Sequence, residues 1–323
     1  ADYRKHCKDP TCTGPGNHHS DAGATALALL PFLAAGQTHE VKGPYKNAVY
    51  KGLYWLMRNQ VPDGDLSAQA KQKMYSHGLA TITLCEAYGL TKDRMIGDRA
   101  QRGVNFILSA QHPATGGWRY NPGEDGDTSV VGWQVMALKS AQTAGLKVDA
   151  KALDKAKDFL KTCSKGAYGG RFSYLPRDEA TPAMTAVGLL CYQYLGTRRD
   201  MPVMQDGVRL LMENLPENAR RDTYYWYYAT QVMHNIPGTD WDAWNRQMRK
   251  TLIEVQCKEG CATGSWDPDK PTKDKWGDAG GRLMTTSLAT LSLEVYYRYL
   301  PLYKLDAEEL AKPADKPAEK PPA

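Results

Sequence analysis

The sequence lacks the features that mark membrane-spanning and nucleic-acid-binding proteins. No window of the 323 residues approaches the roughly eighteen consecutive apolar residues needed to cross a membrane, and no charged, apolar and small-residue signal stands at the start. Basic runs interleaved with aromatic residues are also absent, and the 41 basic and 36 acidic residues are spread along the chain. We therefore expect a soluble protein for which nucleic acid is not a partner.

The two ends of the chain differ in composition from its middle. Ala1 rather than Met stands first, which is typical of a mature chain or an excised domain. Residues 1–20 form a Cys- and His-containing segment, which can also be interpreted as the remnant of a preceding repeat. Residues 306–323 are mainly Pro, Ala, Lys and Glu, a composition that cannot repay the entropy of ordering. We predict one domain over residues 21–305, followed by a disordered tail that could lead to a neighbouring domain.

Seven cysteines are present, an odd number. Four of them form two local pairs, Cys7 with Cys12 and Cys257 with Cys261, and either pair could be a short-loop disulfide. Disulfides would favour an exported or periplasmic location, which the sequence by itself leaves open. We predict no metal and no cofactor. The alternative is a zinc site, whose ligands would be Cys7, Cys12, His18 and His19.

The most informative feature of the sequence is an internal repeat. The clearest copies run through Gly, an aromatic and an aliphatic residue to Gln and then to a glycine turn, as in QRGVNFILSAQHPATGGWRY at residues 101–120. The Gln position recurs at intervals of 51, 53, 51 and 41 residues and is occupied by Gln60, Gln111, Ser164, Leu215 and Gln256. The aromatic residue after the turn is Trp118, Phe172 or Trp266. Such spacing is typical of a protein built from structural repeats.

A second helix is predicted between successive Gln positions, because small and aliphatic residues recur there at helical spacing. These helices cover residues 23–36, 76–90, 127–145, 181–196, 222–236 and 283–300. They are apolar nearly all round, which indicates burial on more than one side, whereas the helices that carry the Gln positions have charges on one face. Five to six such pairs predict an all-α fold, an α/α toroid with concentric inner and outer helices. An open solenoid is the alternative.

The repeat resembles the QW motif of the terpenoid cyclase and protein prenyltransferase superfamily, and more narrowly the bacterial prenyltransferase and squalene-oxidase repeat proteins. The resemblance extends from about residue 21 to residue 303. It implies that each Gln caps a neighbouring helix and that each Trp stacks on the Gln. Structural rather than functional roles are thereby implied for Gln60, Gln111, Trp118, Gln256 and Trp266.

The catalytic groups of these families are not matched. In the cyclases the middle Asp of an Asp-x-Asp-Asp-Thr motif protonates an alkene, and Gly126 stands at that position here. In the prenyltransferases zinc is held by an Asp, a Cys two residues later and a His on a later helix. Ser129 follows Asp127 at the Cys distance, and the last predicted inner helix contains no His. The resemblance therefore implies neither the cyclase acid nor the prenyltransferase zinc site.

The remaining candidate ligand-binding residues lie where the inner helices begin, at the end of the ring that carries the glycine turns. Asp127 would either cap its helix, stabilising it by about 1 kcal/mol, or line a pocket together with Trp133 on the same helix. Tyr75 and His77 begin another inner helix. His77 is suited to titrate near neutrality, and a hydrogen bond to a loop carbonyl is the alternative.

The run YYWYY at residues 224–228 is the most unusual stretch, in a chain with 19 Tyr and 8 Trp but only 4 Phe. Tyr and Trp combine an apolar body with a polar group. Tyr225 and Tyr228 therefore suit the wall of a partly wet pocket or a sugar platform, with packing between repeats as the alternative. Asp278 and Arg282 would stand at the same mouth or form a surface ion pair.

Two functional hypotheses from different classes follow. The leading one is a ligand-binding or scaffold domain, whose ligand would be an isoprenoid, another lipid or a glycan. The alternative is an enzyme, either a divergent isoprenoid cyclase or transferase or a polysaccharide lyase, in which a basic group removes the proton beside a uronate carboxylate. An apolar central cavity would favour an isoprenoid, and a shallow polar cleft lined by Tyr225, Arg282 and Asp127 would favour a glycan. A filled centre with no cleft would favour a scaffold.

Overall fold

The computed structural model describes residue 9, residues 12–68 and residues 70–296. Most of these residues form α-helices, whose bounds are α1 (Asp21–Ala34), α2 (Lys46–Arg58), α3 (Lys73–Thr91), α4 (Arg94–Ala110), α5 (Thr128–Ala144), α6 (Ala150–Thr162), α7 (Pro182–Tyr194), α8 (Pro202–Met212), α9 (Thr223–His234), α10 (Thr239–Val255) and α11 (Gly277–Leu293). A small antiparallel sheet pairs β1 (Ser164–Lys165) with β2 (Arg171–Phe172).

The helices form two concentric layers. The inner layer consists of α1, α3, α5, α7, α9 and α11, each of which packs against the next. Because α11 also packs against α1, the inner layer is a closed ring. The even-numbered helices α2 to α10 lie outside it and contact the inner helices. The predicted all-α toroid is confirmed, and the open solenoid is wrong. Within the described part of the chain, no helix has both the length and the apolar character needed to cross a bilayer.

The sequence explains which helices are inside. α5 and α7 bury small, aliphatic and aromatic residues on all sides, whereas α4 and α6 bury one stripe and expose charged residues on the other. Four inner helices begin at a side chain that accepts a hydrogen bond from a backbone N–H in the first turn. These side chains are Ser20, Asp127, Thr181 and Asp222.

The Gln positions of the repeat connect successive outer helices. Nε2 of Gln60 donates hydrogen bonds to the carbonyl of Gly64 in its own turn, at 3.1 Å, and to the carbonyl of Arg99 on α4, at 3.0 Å. Gln111 makes the same pair of bonds one repeat later, at 2.8 Å to each of its two acceptors. The amide therefore closes the glycine turn and ties it to the next outer helix.

The Trp positions of the repeat bind the turn to the preceding helix. The indole Nε1 of Trp118 donates to the carbonyl of Ile107 at 2.8 Å, and that of Trp266 donates to the carbonyl of Leu252 at 2.9 Å. Both acceptors stand four residues before the Gln of their repeat. Phe172 occupies the equivalent position, where it is fully buried but its side chain has no N–H to donate.

Residues 12–20 lie against the beginning of α11. The N–H of Arg282 donates to the carbonyl of Gly14 at 2.7 Å. Gly281 has a φ of 64°, and a Cβ at this position would lie 2.4 Å from the nitrogen of Gly16. Only glycine permits both this conformation and this close approach of two backbones.

Two predictions concern the ends of the chain. The last inner helix begins at Gly277 rather than at residue 283, because a turn of helix precedes the non-helical Gly281. The predicted tail at residues 306–323 lies outside the described residues, as does Cys7.

Candidate binding site at the loop end of the ring

Asp127 caps the N-terminus of α5. Its Oδ1 accepts a hydrogen bond from the backbone N–H of Val130 at 2.9 Å. Thr181 on α7 and Asp222 on α9 accept equivalent bonds from the N–H groups three residues after them. The capping role predicted for Asp127 is confirmed, and it is a repeated structural feature of the inner helices.

A chain of hydrogen bonds also ends on this carboxylate. The hydroxyl of Ser129 donates to Oδ1 of Asp127 at 2.6 Å. The Tyr75 hydroxyl lies 2.5 Å from the Ser129 oxygen. Because a serine hydroxyl has a single proton, Tyr75 must be the donor to Ser129. Asp127 and Tyr75, which the sequence analysis singled out separately, therefore belong to one cluster.

The second carboxylate oxygen of Asp127 differs from the first in its hydrogen bonding. Oδ2 is buried and has no hydrogen-bond partner among the described residues. Burial raises the pKa of Asp127 above its usual value, although the bonds from Ser129 and Val130 and the positive charge of Arg119 oppose this shift. When the carboxyl group is protonated, Oδ2 is the oxygen on which the proton is available, because Oδ1 already accepts two hydrogen bonds.

An aromatic rim surrounds this carboxylate, and we define it as Tyr75, Arg119, Tyr120 and Tyr174. The hydroxyls of Tyr120 and Tyr174 are hydrogen-bonded at 2.5 Å. The Arg119 guanidinium lies 5.4 Å from the Tyr120 ring centre and 6.0 Å from that of Tyr174. The rings of Tyr75 and Tyr120 are 6.0 Å apart. Arg119 Nε is buried and has no hydrogen-bond partner among the described residues.

A second aromatic cluster joins α5 and α9 inside the ring, and we define this plug as Trp133, Tyr224, Tyr227 and Tyr228. Trp133 on α5 stacks on Tyr227 at 5.9 Å and meets Tyr228 edge-on at 5.4 Å. Tyr224 packs against Tyr228 at 5.0 Å. Since α7 lies between α5 and α9 in the ring, these contacts lie on the inner side of α7. Trp133 is 4% exposed and Tyr228 is fully buried.

Tyr224 connects the plug to the rim. Burial raises the pKa of Tyr224 well above its usual value, and the nearby Tyr75 and Asp127 raise it further. The hydroxyls of Tyr224 and Tyr228 are buried without a hydrogen-bond partner among the described residues. The rim and the plug thus contribute several polar atoms that a ligand or water could satisfy.

An open cleft of about 380 Å³ lies at the beginnings of α7 and α9. It is bounded by the beginnings of α7 and α9, by the loop before α9 and by two lysines. Its charged lining residues are Glu217, Arg220, Arg221, Asp222, Lys273 and Lys275. Tyr225 lines this cleft, whereas none of the four rim residues does.

Four predicted site residues lie elsewhere. His77 is fully buried and is fixed by backbone groups. The N–H of Leu66 donates to its Nδ1 at 3.0 Å, so its Nε2 carries the proton and donates to the carbonyl of Gly103 at 3.0 Å. Tyr225 points away from the ring centre, where its hydroxyl donates to the carbonyl of Asn214 at 3.0 Å.

Asp278 and Arg282 do not form the predicted pair. Asp278 is exposed and binds Lys273 at 2.6 Å, whereas the guanidinium of Arg282 is buried against Asp267 at 2.7 Å. The interruption at Gly281 explains the difference, because the two residues do not lie on one continuous helical face. Neither residue contributes to the rim.

The structure decides between the alternatives that the sequence left open for the second cysteine pair. Cys257 is not in a disulfide, so the Cys257–Cys261 bridge does not form. Among the described residues, only His39, Glu40 and Asp93 bring three His, Cys or carboxylate ligand atoms within 4.8 Å of one another, so Cys12 does not form a compact group with His18 and His19. Cys7 lies outside the described residues.

Sequence reasoning missed most of the rim. Tyr120 and Tyr174 each stand two residues after the aromatic position of their repeat, following Trp118 and Phe172 respectively. A comparison of the repeats at that offset would have found them. Arg119 and Ser129 offer no comparable signal, because their roles depend on contacts with other repeats.

No protein-family model and no curated protein matches the sequence. Solved structures with the same architecture include cellobiose 2-epimerase from Bacillus thermoamylovorans B4167, at 11% identity, with 84% of this chain and 87% of that chain covered and a TM-score of 0.60. Protein geranylgeranyltransferase-I of Candida albicans, complexed with GGPP, is 13% identical over 90% of both chains, with a TM-score of 0.57. An α-1,6-mannanase of Salegentibacter sp. HEL1_6 is 11% identical, with 84% and 88% covered and a TM-score of 0.54. The chain is an α/α-toroid protein, and its membership of the QW-repeat family stays a prediction.

Proposed function

We propose that the protein binds a carbohydrate at the loop end of its ring, in the aromatic rim around Asp127. The observation that carries this proposal is the coincidence of aromatic faces and unpartnered polar atoms. Tyr120 and Tyr174 lie beneath the Arg119 guanidinium, and Asp127 Oδ2 lies nearby without a partner among the described residues. A sugar ring presents apolar C–H faces bordered by hydroxyls, so its binding calls for both kinds of group.

The plug favours a sugar at the rim over an isoprenoid in the centre. A prenyl chain needs a long apolar cavity, and the Trp133 and Tyr228 side chains occupy the ring centre at the depth of the first two turns of α5 and α9. A Cβ at Gly132 would lie only 2.4 Å from Val187 Cγ1, which shows how closely the inner helices approach there. A ligand is therefore confined to the mouth of the ring.

The three similar structures described above include proteins named for carbohydrates and one complexed with an isoprenoid. Two of the three described above are named for carbohydrates, as an epimerase of cellobiose and a mannanase, and the third is complexed with GGPP. The toroid therefore accommodates both ligand classes. The plug and the polar rim are the features of this chain that favour the carbohydrate.

The tyrosines support binding rather than lyase chemistry. Burial raises the pKa of Tyr75 and of Tyr174 above the usual value of 10. Neither is a phenolate at neutral pH, so neither is suited to remove the proton beside a uronate carboxylate. As neutral hydroxyls they remain hydrogen-bond donors, and their rings supply flat surfaces.

A second candidate function is favoured by Asp127. A buried carboxyl group with a raised pKa and an unpartnered oxygen has the properties of a proton donor. An enzyme that uses it would protonate the oxygen of a glycosidic bond or of an opened sugar ring held on the rim. This candidate requires the same site and adds a chemical step to binding.

Binding is tested by titrating the full chain with cello-, malto- and α-1,6-manno-oligosaccharides and with geranylgeranyl diphosphate, followed by tryptophan fluorescence and calorimetry. We expect an oligosaccharide to bind. Arg119→Ala should weaken this binding about tenfold or more, because a hydrogen bond to a charged group is lost, and Tyr174→Phe about fivefold. The matched control is Tyr225→Phe, which removes a tyrosine hydroxyl outside the rim and should leave the affinity unchanged.

Two outcomes would contradict the proposal. One is binding of geranylgeranyl diphosphate with no response to any oligosaccharide, and the other is no binding of any probe, which would favour a scaffold. The proton-donor candidate is tested separately by chromatography of the bound oligosaccharide after incubation. Wild type should yield a product, and Asp127→Asn should bind the sugar but yield none.

A further inference from the structure

A buried arginine lies in the wall of the cleft at the beginnings of α7 and α9. Arg221, in the loop before α9, lines this cleft and is 2% exposed. Its Nη1 donates, at 2.5–2.9 Å, to carbonyl oxygens of the loop between α10 and α11, which belong to Asp267, Lys270 and Thr272. Because Nη1 carries two N–H groups, these acceptors use both of them. This side of the guanidinium is structural, since it holds the loop against the start of α9.

The other edge of the same guanidinium differs in its hydrogen bonding. Nε and Nη2 of Arg221 are buried and have no hydrogen-bond partner among the described residues. In a planar guanidinium the N–H of Nε and one N–H of Nη2 point in the same direction, so they form a fork of two donors. Buried donors without acceptors cost free energy, and the cost is larger when the group is charged. A ligand group with two oxygen atoms would satisfy both donors at once.

The positive charge of Arg221 is only partly compensated by the protein. Burial lowers the pKa of Arg221 below its usual value, although the nearby Asp274 and Asp267 oppose this shift. The two oxygens of Asp274 accept backbone N–H groups instead, from Thr223 at 3.0 Å and from Trp276 at 3.1 Å. An anion bound at the fork would therefore offset part of the cost of burying this charge.

The remaining charged residues of the cleft give it an excess of positive charge. Four basic residues line it, against two acidic ones. The three basic residues other than Arg221 are more than half exposed, and each is paired with a carboxylate: Arg220 with Glu217, Lys273 with Asp278 and Lys275 with Asp222. The N-terminus of α7, the positive end of its helix dipole, lies in the same wall. These charges favour an anion over a neutral or cationic ligand.

We propose that this cleft binds an oxyanion of a small ligand, a carboxylate or a phosphate group, on the Nε and Nη2 fork of Arg221. The cleft volume of about 380 Å³ lies within the range of small-molecule sites. Because both nitrogen atoms are buried, binding requires a movement of lining side chains, for which the exposed Lys273 and Lys275 have the freedom. The site is independent of the proposed carbohydrate binding, since no rim residue lines the cleft.

The test is calorimetric titration of the full chain with glucuronate, inorganic phosphate and glucose 6-phosphate, with glucose as the neutral matched probe. We expect an anion to bind at one site and glucose not to bind there. Binding of glucuronate identifies a carboxylate ligand, and binding of the phosphates identifies a phosphate ligand. Arg221→Lys keeps the charge but has no fork, so it should weaken the binding about tenfold or more. Arg249→Lys is the matched control, because Arg249 is exposed and does not line the cleft.

A second measurement does not depend on the folding of an Arg221 variant. In wild type the Nε–H NMR resonance of Arg221 should shift as the bound anion is added. Lys273→Gln, which removes an exposed charge of the cleft, should weaken the binding about threefold, whereas Lys250→Gln outside the cleft should not. The proposal is overturned if none of the three anions binds, if glucose binds as tightly as they do, if a folded Arg221→Lys binds like wild type, or if the Arg221 resonance does not shift.

Discussion

Asp65 and Asp127 are both buried carboxylates that precede inner helices, yet their environments shift their pKa values in opposite directions. Asp65, which is 8% exposed, receives bonds on both oxygens from Ser67, at 2.7 Å from the backbone N–H and at 2.9 Å from the hydroxyl. Burial alone would raise its pKa, but the hydrogen bonds that the carboxylate accepts outweigh burial and lower the pKa to about 2. Asp127 has one oxygen that accepts two hydrogen bonds and one that has no partner among the described residues, and burial raises its pKa.

The difference separates a structural carboxylate from one that is available for a ligand. Asp65 is most stable ionised, because every part of its charge is matched by a donor. Asp127 uses one oxygen to cap α5 and keeps the other unmatched in a buried position, which costs free energy unless a ligand, a proton or water satisfies it. Aspartate therefore has different roles in two comparable loops: Asp65 is structural, and Asp127 is also available to a ligand.

The largest expected effect tests the burial of Asp127. Trp133→Ala removes the centre of the plug and should lower the free energy of unfolding by about 3–5 kcal/mol, as large-to-small changes of buried aromatic residues do. The opened centre should admit water and move the Asp127 pKa back toward its usual value, with no change at Asp65. Urea denaturation and carboxyl-carbon NMR titration measure the two effects.

The control is Trp276→Ala, at a position 43% exposed, which should lower the free energy of unfolding by about 1 kcal/mol or less. Equal losses in the two variants would contradict a packed plug.

A smaller effect is expected at Asp65. Because its folded-state pKa is lowered from 3.8 to about 2, its contribution to stability is fully present above the unfolded value and is lost as the pH falls toward 2. Asp65→Asn should therefore lower the free energy of unfolding by about 2 kcal/mol at pH 7 and by little near pH 2. Denaturation over this pH range checks the prediction, with the exposed Asp158 changed to Asn as the control. A loss that is independent of pH would show that the Asp65 charge is not responsible.

The smallest effect, and the one with the opposite pH dependence, is expected at Asp127. Because its folded-state pKa is raised, the penalty for ionising it is absent below the usual value of 3.8 and increases as the pH rises through the folded-state pKa. Asp127→Asn keeps an acceptor for Val130 and should gain stability relative to wild type as the pH rises. Asp127→Ala loses the cap and should be about 1 kcal/mol less stable than Asp127→Asn. Identical stabilities of the two variants would argue against the cap.

The ring architecture could be predicted because its signals are local and repeated. The spacing of Gln60 and Gln111 and the apolar stretches between such positions depend on neighbours within one repeat. The helix predicted at residues 127–145 matches α5 (Thr128–Ala144) closely, since a capping Asp stands at its beginning and Gly145 at its end. The beginning of α11 was missed because Gly281 interrupts the helix through a contact with the distant Gly16, which no local pattern records.

The sequence predicted the candidate site only in part, because it does not show in which direction each side chain points. Residues on a helix turn by about 100° each, so Tyr224 and Tyr228 share a face while Tyr225 points elsewhere. The run YYWYY indicates an aromatic wall but not which of its members face the centre. Arg119, Tyr120 and Tyr174 lie in loops, where periodicity carries no information about direction.

The repeat, the inner and outer helices and the caps can be read from the sequence, because they depend on hydrogen bonds and apolar spacing between residues near in the chain. Three features required the folded structure: the closure of the ring, the contact of Trp133 with Tyr228, and the Asp127 oxygen that has no partner among the described residues. The 3.7 Å approach of Cys12 Sγ to Cys261 Sγ is a fourth. The burial of a side chain and its distance to residues on other helices depend on the arrangement of all the helices. They are therefore defined only when the first and last helices are in contact.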